Sequence, residues 1–335
     1  MADKKIRWGV FSTSRIGRRV IPAIQEARNC EVVAISSRDL DRAQAAAKEL
    51  NIPKAYGSYE AMLADPAIDA IYNPLPNDQH GPWSIRAAEA GKAVLCEKPL
   101  ASNAAEARHV ADVFQKRGLL LVEGFMWRFH PQNQRVKQMI DAGAIGKVHI
   151  IQATLTVEVA TEDDIRLKKE MAGGALMDVG CYCIQIMRLM TGEEPNEAES
   201  LARFGKNPVD ELMVGVLSFP SGVLGHFGCS LRSYLAQHYE IIGTKGRIEV
   251  EKAIVPFVPD ASADTIIRYW HGDDPWVNEH YEEIKIPAAN QYTLMAEDFA
   301  DAMLNHRAPR YPVEDGIRNM ELIDRLLASA EKRGQ

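Results

Sequence analysis

Lys98, Asp178 and Tyr182 are side chains whose types suit moving a proton onto or off an alcohol oxygen. Lys98 closes the run Leu95-Cys96-Glu97-Lys98, and Pro99, which lacks an N–H, stops any strand there. Asp178 and Tyr182 stand four residues apart in a segment, 174–191, that reads as a helix, so both can project from one face. Alcohol oxidation needs a base for the hydroxyl proton, and carbonyl reduction needs the same group as an acid. A free tyrosine titrates near pH ~10, too high for a base at neutrality, and a neighbouring ammonium favours the phenolate and lowers that value. The set assigns Tyr182 as acid/base, Lys98 as its electrostatic modulator and Asp178 as the group that orients Lys98 or a substrate hydroxyl. Taken singly, each also fits a plain structural role: a solvated strand-end lysine, a helix-surface acid, a half-buried core phenol.

Three further stretches suit a nucleotide. Gly9 to Gly17 carries the spacing of a glycine fingerprint as Ser12-x-Ser14-x-x-Gly17. The turn Ser12-Thr13-Ser14-Arg15-Ile16 would aim backbone N–H groups at a pyrophosphate, although a simple strand-to-helix turn has the same composition. The second strand ends in Ser36-Ser37-Arg38-Asp39, with Arg42 one turn on. An acidic side chain at that place accepts from ribose hydroxyls, whereas a guanidinium pairs with a 2′-phosphate, so Ser37, Arg38 and Arg42 favour NADP over NAD. Asp39 also fits the N-cap of the next helix. The third stretch, Asn73-Pro74-Leu75-Pro76-Asn77-Asp78-Gln79-His80, is a loop stiffened by two prolines that can wall the cofactor, with His80 either a ligand or the start of a helix. Glu97 and Trp83 fit the loop around the nicotinamide. Trp127, Arg128 and Arg166 are further candidate contacts to cofactor or substrate, with core packing for Trp127 and plain exposure for Arg166 as alternatives. Tyr292 and His280 are candidates to line the pocket by position.

The elements that must hold these residues change rhythm near residue 125. Before it, strand patterns at 6–12, 31–36, 68–73, 93–96 and 119–123 alternate with helix patterns at 16–27, 40–50, 59–64, 81–90 and 104–117. Such alternation predicts right-handed βαβ units around a parallel sheet covered on both faces, with ligands beyond the C-terminal strand ends. After it come a helix at 132–142 and strand patterns at 148–157, 211–218, 222–230, 239–243 and 246–252, separated by Gly or Pro, as in an antiparallel sheet. Helices at 292–306 and 313–332 close the chain. The fold class expected is α/β: a doubly wound Rossmann domain over 1–125 and an α+β domain over 126–335 with an open, mainly antiparallel sheet. The last helix is placed either there or back on the first domain.

The whole chain has 335 residues, 46% hydrophobic and 25% charged, which is enough for two globular domains. With 39 basic and 46 acidic residues the net charge is −7, which argues against a nucleic-acid surface. No apolar run reaches the roughly 18 residues of a membrane helix, and no signal segment is read, so a cytoplasmic protein without a membrane partner is expected. Five cysteines, none in a CxxC pair, predict buried reduced thiols and no metal site.

Glu97-Lys98-Pro99, Glu123-Gly-Phe-Met-Trp-Arg128-Phe-His-Pro131, Gly173-Gly174-Ala-Leu-Met-Asp178-Val-Gly180-Cys-Tyr182 and Gly243-Thr-Lys-Gly246 occur in this order along essentially the whole chain. Together with the βα pattern they resemble the glucose-fructose oxidoreductase / inositol dehydrogenase (Gfo/Idh/MocA) family. Within it the chain is most similar to dihydrodiol dehydrogenases and NADP-dependent aldose oxidoreductases, which place tyrosine where inositol dehydrogenase has histidine. The resemblance implies a Rossmann domain followed by an open sheet that often forms a dimer interface. It also implies hydride transfer between NADP and a sugar, at the anomeric carbon or a sugar carbonyl, with cofactor that is either exchanged or retained between two sugars. Oxidation of a trans-dihydrodiol, or a non-enzymatic NADP-dependent regulator, are the other activities it allows. The joint presence of Lys98, Asp178 and Tyr182 favours the enzyme.

Overall fold

Short apolar runs and amphipathic stretches become strands and helices in strict alternation through the first part of the computed structural model, which describes residues 4–256, 263–272 and 281–333. His280 lies outside the described residues. In chain order the elements are β1 (Ile6–Phe11), α1 (Gly17–Glu26), β2 (Cys30–Ser36), α2 (Leu40–Glu49), β3 (Lys54–Tyr56), α3 (Tyr59–Leu63), β4 (Ala70–Asn73), α4 (Asn77–Glu89), β5 (Ala93–Cys96), α5 (Ala104–Arg117) and β6 (Leu121–Glu123). The strands pair in the order β3-β2-β1-β4-β5-β6, and every pair is parallel. The chain crosses from the β3 edge to the far side of β1 between β3 and β4, which makes β1/β4 the topological switch point.

Burial on both faces explains the near-continuous apolar strands: Trp8, Val10, Ile35, Ile71 and Val94 are all shielded from solvent. Both ends of α5 are fixed by local signals. Asn103 caps α5 through the Glu106 amide, and Gly118, at φ +64°, ends it in the left-handed conformation. Residues 290–320 group with this unit. They include α8 (Gln291–Leu304), whose Phe299 packs against Trp8 at 4.7 Å between ring centroids.

The second unit takes residues 127–289 and 321–335, so the division runs through α9 (Val313–Arg333). Its elements are α6 (Pro131–Asp141), β7 (Val148–Glu158), α7 (Cys181–Thr191), β8 (Glu197–Phe204), β9 (Asp210–Ser218), β10 (Leu224–Ser230), β11 (Arg232–Gly243), β12 (Gly246–Val250), β13 (Thr265–His271) and β14 (Glu282–Ile286). Eight strands pair in the order β14-β13-β12-β11-β7-β10-β9-β8, antiparallel except for β10 with β7. The sheet is wider than the sequence pattern predicts, because β8, β13 and β14 carry no clear apolar alternation; in the first sheet β3, only three residues long, likewise escapes the pattern. One face buries Ile151, Ala153, Leu155, Met213, Phe227 and Cys229. The other leaves Ile150, Leu201, Val214, Val216 and Leu224 exposed, with Leu201 opposite Val214 and Leu224 opposite Ile150.

All five cysteines are buried thiols outside any disulfide. Among the described residues, no helix is long and apolar enough to cross a membrane.

Candidate active site

In the first unit, every candidate nucleotide residue lies at or just beyond the C-terminal end of β1, β2, β4 or β5, where a doubly wound sheet binds ligands. Ser12 follows β1 with φ +60°, the left-handed region that favours glycine and the reason the fingerprint carries one there. Its hydroxyl oxygen accepts from the Ser14 amide at 3.2 Å, and the Ser14 hydroxyl oxygen accepts from Gly17 N at 3.2 Å. The two serines that stand in for glycines therefore build the turn. Among the described residues, the amides of Thr13, Arg15 and Ile16 have no hydrogen-bond partner, which leaves three donors at the start of α1 for a pyrophosphate.

At the end of β2, Ser37 is anchored by its amide on Tyr56 O at 3.0 Å. Asp39 Oδ1 accepts from Arg42 N at 3.2 Å, so the carboxylate is the N-cap of α2. Arg38 and Arg42 stay exposed beside it. A 2′-phosphate would meet two guanidinium side chains here and a carboxylate already bound to its own helix, so this end of β2 fits NADP.

The loop after β4 differs from its expected role. Asn73 is buried; its Nδ2 donates to His80 O at 3.2 Å and to Ser84 Oγ at 3.1 Å, while its Oδ1 accepts from Leu75 N at 3.3 Å. Pro74 and Leu75 are buried, and Asn77, half-buried, opens α4. His80 sits inside the first turn of α4, 1% exposed, with Nδ1 2.7 Å from Pro99 O and Nε2 2.7 Å from Leu75 O. Asn73 and His80 thus hold the loop from within instead of lining it, because their polar atoms face backbone and side-chain groups of the same unit. Trp83 joins an aromatic cluster, edge-on to Tyr59 at 4.8 Å, with the Arg86 guanidinium 4.4 Å above its ring.

After β5, Glu97 is buried and accepts from the Tyr72 hydroxyl at 2.8 Å. Lys98 is half-buried, and the Lys98–Pro99 peptide is cis. Tyr292, on α8, is 3% exposed; burial pushes its phenol up to about 12, with Glu97 adding to the rise and the Arg19 and Lys98 cations opposing it. The Lys98 charge already acts on a tyrosine in its own unit.

In the second unit, residues 174–191 do not form one uniform helix. A π-helical turn, Leu176–Gly180, precedes α7, with Asp178 inside the turn and Tyr182 second in the α-helix. Such turns are rare and concentrate at functional sites. Three glycines admit neighbours that a side chain would exclude. A Cβ at Gly173 would lie 2.5 Å from Arg166 O, one at Gly180 2.7 Å from Cys229 Sγ, and one at Gly174, where φ is +126°, would overlap Asp210 Oδ1. Asp210 Oδ2 accepts from Leu176 N at 2.7 Å, at the head of the π-helical turn.

Arg166 is fastened by Asp164 in a two-pronged pair, Nε to Oδ1 at 2.9 Å and Nη2 to Oδ2 at 2.8 Å, and its Nη1 lies 3.7 Å from Asp178 Oδ2. Asp164, then Asp178, holds the guanidinium above its usual value. Arg166 is therefore brought together with Asp178. Tyr182 is buried, 6% exposed. Trp127 has no exposed surface and donates from its indole to Gln185 Oε1 at 2.7 Å, and Arg128 is buried beside it in sequence. Both are buried in the second unit, and for Trp127 this is the core packing that its sequence also allowed.

Sequence reasoning missed Asp164 and Asp210. Asp164 lies in the acidic run Glu162-Asp163-Asp164, which reads as a solvated loop, and an aspartate opening a strand, as Asp210 does, reads as a turn residue.

Residues 6–125 match the model of the oxidoreductase family with an NAD-binding Rossmann fold, and residues 133–249 match the GFO/IDH/MocA C-terminal domain. D-xylose 1-dehydrogenase (NADP(+)) 2 of Haloferax volcanii is 37% identical over 97% of this chain and 97% of its own. Trans-1,2-dihydrobenzene-1,2-diol dehydrogenase of Mus musculus is 34% identical over 75% of this chain and 76% of its own. The crystal structure of KijD10, a 3-ketoreductase from Actinomadura kijaniata, in complex with NADP and TDP-benzene, aligns with a TM-score of 0.90 at 31% identity, covering 97% of this chain and 98% of that one.

Proposed function

The chain belongs to the GFO/IDH/MocA oxidoreductase family, and from that premise we propose that it is an NADP-dependent dehydrogenase of aldoses, oxidising the anomeric carbon to a lactone or reducing a sugar carbonyl. The observation that carries the reading is the 37% identity to an NADP-dependent D-xylose dehydrogenase along nearly the full length of both chains.

Thr13, Arg15 and Ile16 would hold the pyrophosphate through their amides, and Arg38 with Arg42 the 2′-phosphate. Bound NADP supplies the hydride chemistry. Tyr182 takes the proton from the substrate hydroxyl in oxidation and returns it in reduction. Lys98 keeps that phenol acidic enough to act near neutrality, and Asp178, steadied by Arg166, fixes a sugar hydroxyl.

Purified protein supplied with NADP+ should reduce it with D-xylose or D-glucose, and faster than it reduces NAD+. A trans-dihydrodiol, suggested by the relative at 34% identity, is the competing substrate to assay alongside. Absence of turnover with every aldose while the dihydrodiol reacts would overturn the sugar assignment. NADP(H) released on denaturing the protein would add retention of the cofactor between two sugars.

Replacing Arg38 by alanine should cut the preference for NADP over NAD by about tenfold or more, since a hydrogen bond to a charged group contributes roughly 1.5–3 kcal/mol. An unchanged ratio of kcat/KM for the two cofactors would remove Arg38 from the phosphate site.

We also propose that the apolar strip of Leu201, Val214, Val216, Leu224 and Ile150 is covered by a second copy of the chain. Light scattering should then give a multiple of the 37.3 kDa chain mass, and a monomer would contradict it. Five thiols outside any disulfide suit a reducing cytoplasm.

A further inference from the structure

We propose that Asp210 is a positioning residue for the segment that carries Asp178 and Tyr182: its buried carboxylate seats the first turn of that segment, and the seat loosens when the carboxyl gains a proton. The inference rests on Tyr182 being the proton-handling group.

Asp210 opens β9 and is 2% exposed. Its Oδ2 accepts from Leu176 N at 2.7 Å, and the Ala175 amide also bonds to the carboxylate. The approach is possible only because Gly174 has no Cβ to overlap Oδ1. One turn on, Gly180 lets the same segment close onto Cys229 of β10, and Asp178 N donates to Gly174 O at 3.0 Å. The backbone around Asp178 is thereby held from β9 at its start and from β10 at its end.

The groups that face Asp210 do not supply a cation. They are the amides of Ala175, Leu176 and Asp210 itself, and the Cys229 thiol of β10, with Cys181 and Cys183 of α7 beyond it. Burial pushes the Cys229 thiol well up and the Cys183 thiol to about 12, so neither carries charge near neutrality. Neighbouring Glu211 pairs with Arg232 at 2.7 Å, and the Arg166 guanidinium is taken by Asp164.

Burial pushes the Asp210 carboxyl up to about 7, against the pull of its three amide donors. Once protonated, the acid presents an O–H to amides that are themselves donors, and the negative end at the head of the helical segment is gone. Turnover should therefore rise as pH increases through about 7. Stability runs the other way. The folded value lies above the ordinary 3.8, so the native state holds this proton more tightly, and that contribution is present below about 4 and lost as pH rises to about 7. Opposed trends of kcat and stability in one window are a signature that a purely structural carboxylate would not give.

Asp210→Asn keeps an acceptor oxygen but cannot ionise. Its kcat should lose the acid limb near pH 7, and its stability should lose the decline between about pH 4 and 7, with NADPH affinity unchanged. Asp210→Ala should lower kcat by about tenfold to a hundredfold, the scale of a small misplacement of a reacting group. An acid limb retained in Asp210→Asn, or wild-type kcat in Asp210→Ala, would overturn the inference. Should the alanine variant fail to fold, the asparagine pH profile decides. The same measurements on Tyr182→Phe separate the two readings. An inactive Tyr182→Phe with an unaltered Asp210→Asn profile sinks the Asp210 inference alone. A fully active Tyr182→Phe sinks the Tyr182 assignment, while the stability profile still reports on Asp210.

Discussion

Tyr182→Phe should lower turnover by about a hundred- to ten-thousandfold, the range covered by a positioned acid or base, while NADPH binds as in the wild type. The substitution removes one oxygen from a buried side chain and leaves the ring, so packing of α7 is kept. What is lost is the atom proposed to exchange a proton with the substrate hydroxyl. Because the residues proposed to hold the nucleotide all lie in the first unit and Tyr182 lies in the second, cofactor affinity is an internal control. Titrating NADPH by fluorescence beside the kcat measurement tests both halves, and full turnover in the phenylalanine variant would take Tyr182 out of the chemistry.

Lys98→Met should have a comparable effect at neutral pH but a different signature. In the proposed mechanism the ammonium favours the phenolate, so its removal would raise the pKa of the group that must ionise for oxidation. The limb of the oxidative pH profile should move to higher pH by about one to three units, the usual reach of a neighbouring unit charge, and part of the lost turnover should return in alkali. Lys98 is half-buried rather than immersed in solvent, and its charge already opposes the rise of the Tyr292 phenol and depresses the imidazole of His80. An ammonium with that reach is suited to the task. A variant that loses activity with the limb unmoved would show that Lys98 acts by binding and not through the charge.

The sequence was most informative where local signals agree with the fold. The strand at 93–96 and the helix at 104–117 have the predicted bounds, because a buried apolar run, an Asn103 cap and a Gly118 stop all mark the same places. The Rossmann order follows from such units. The second sheet was less legible. β8 reads Glu-Ala-Glu-Ser-Leu-Ala-Arg-Phe with only Ser200 buried, so its pattern lies in pairing with β9 and not in its own hydrophobicity. β11 begins seven residues before the predicted start, at Arg232 instead of 239, because its first half lacks apolar alternation and leaves Tyr234 and Leu235 exposed. Residue types are what make Lys98, Asp178 and Tyr182 candidates, but no spacing rule foresees the π-helical turn that carries Asp178. Arg166 was seen as a lone cation since Asp164, two residues away, looks like any solvated acid; only folding shows that the pair closes on itself. Asp210 is 32 residues from Asp178 in sequence, and nothing local ties them (210 − 178).

His80 has a consequence of its own. Its two nitrogens each lie 2.7 Å from a carbonyl oxygen, one of Leu75 and one of Pro99, and neither oxygen can donate. Both contacts would be hydrogen bonds only in the imidazolium, yet burial, followed by the Lys98 charge, pulls the ring down to about 4 against those same carbonyls, so at neutrality it is uncharged. A full burial penalty outweighs two neutral acceptors, and the ring keeps one N–H. The loop between β4 and α4 and the loop that bears Lys98 therefore share a single proton: whichever carbonyl holds it, the other faces a lone pair. At neutrality, therefore, either tautomer of His80 hydrogen-bonds one of the two loops and only packs against the other.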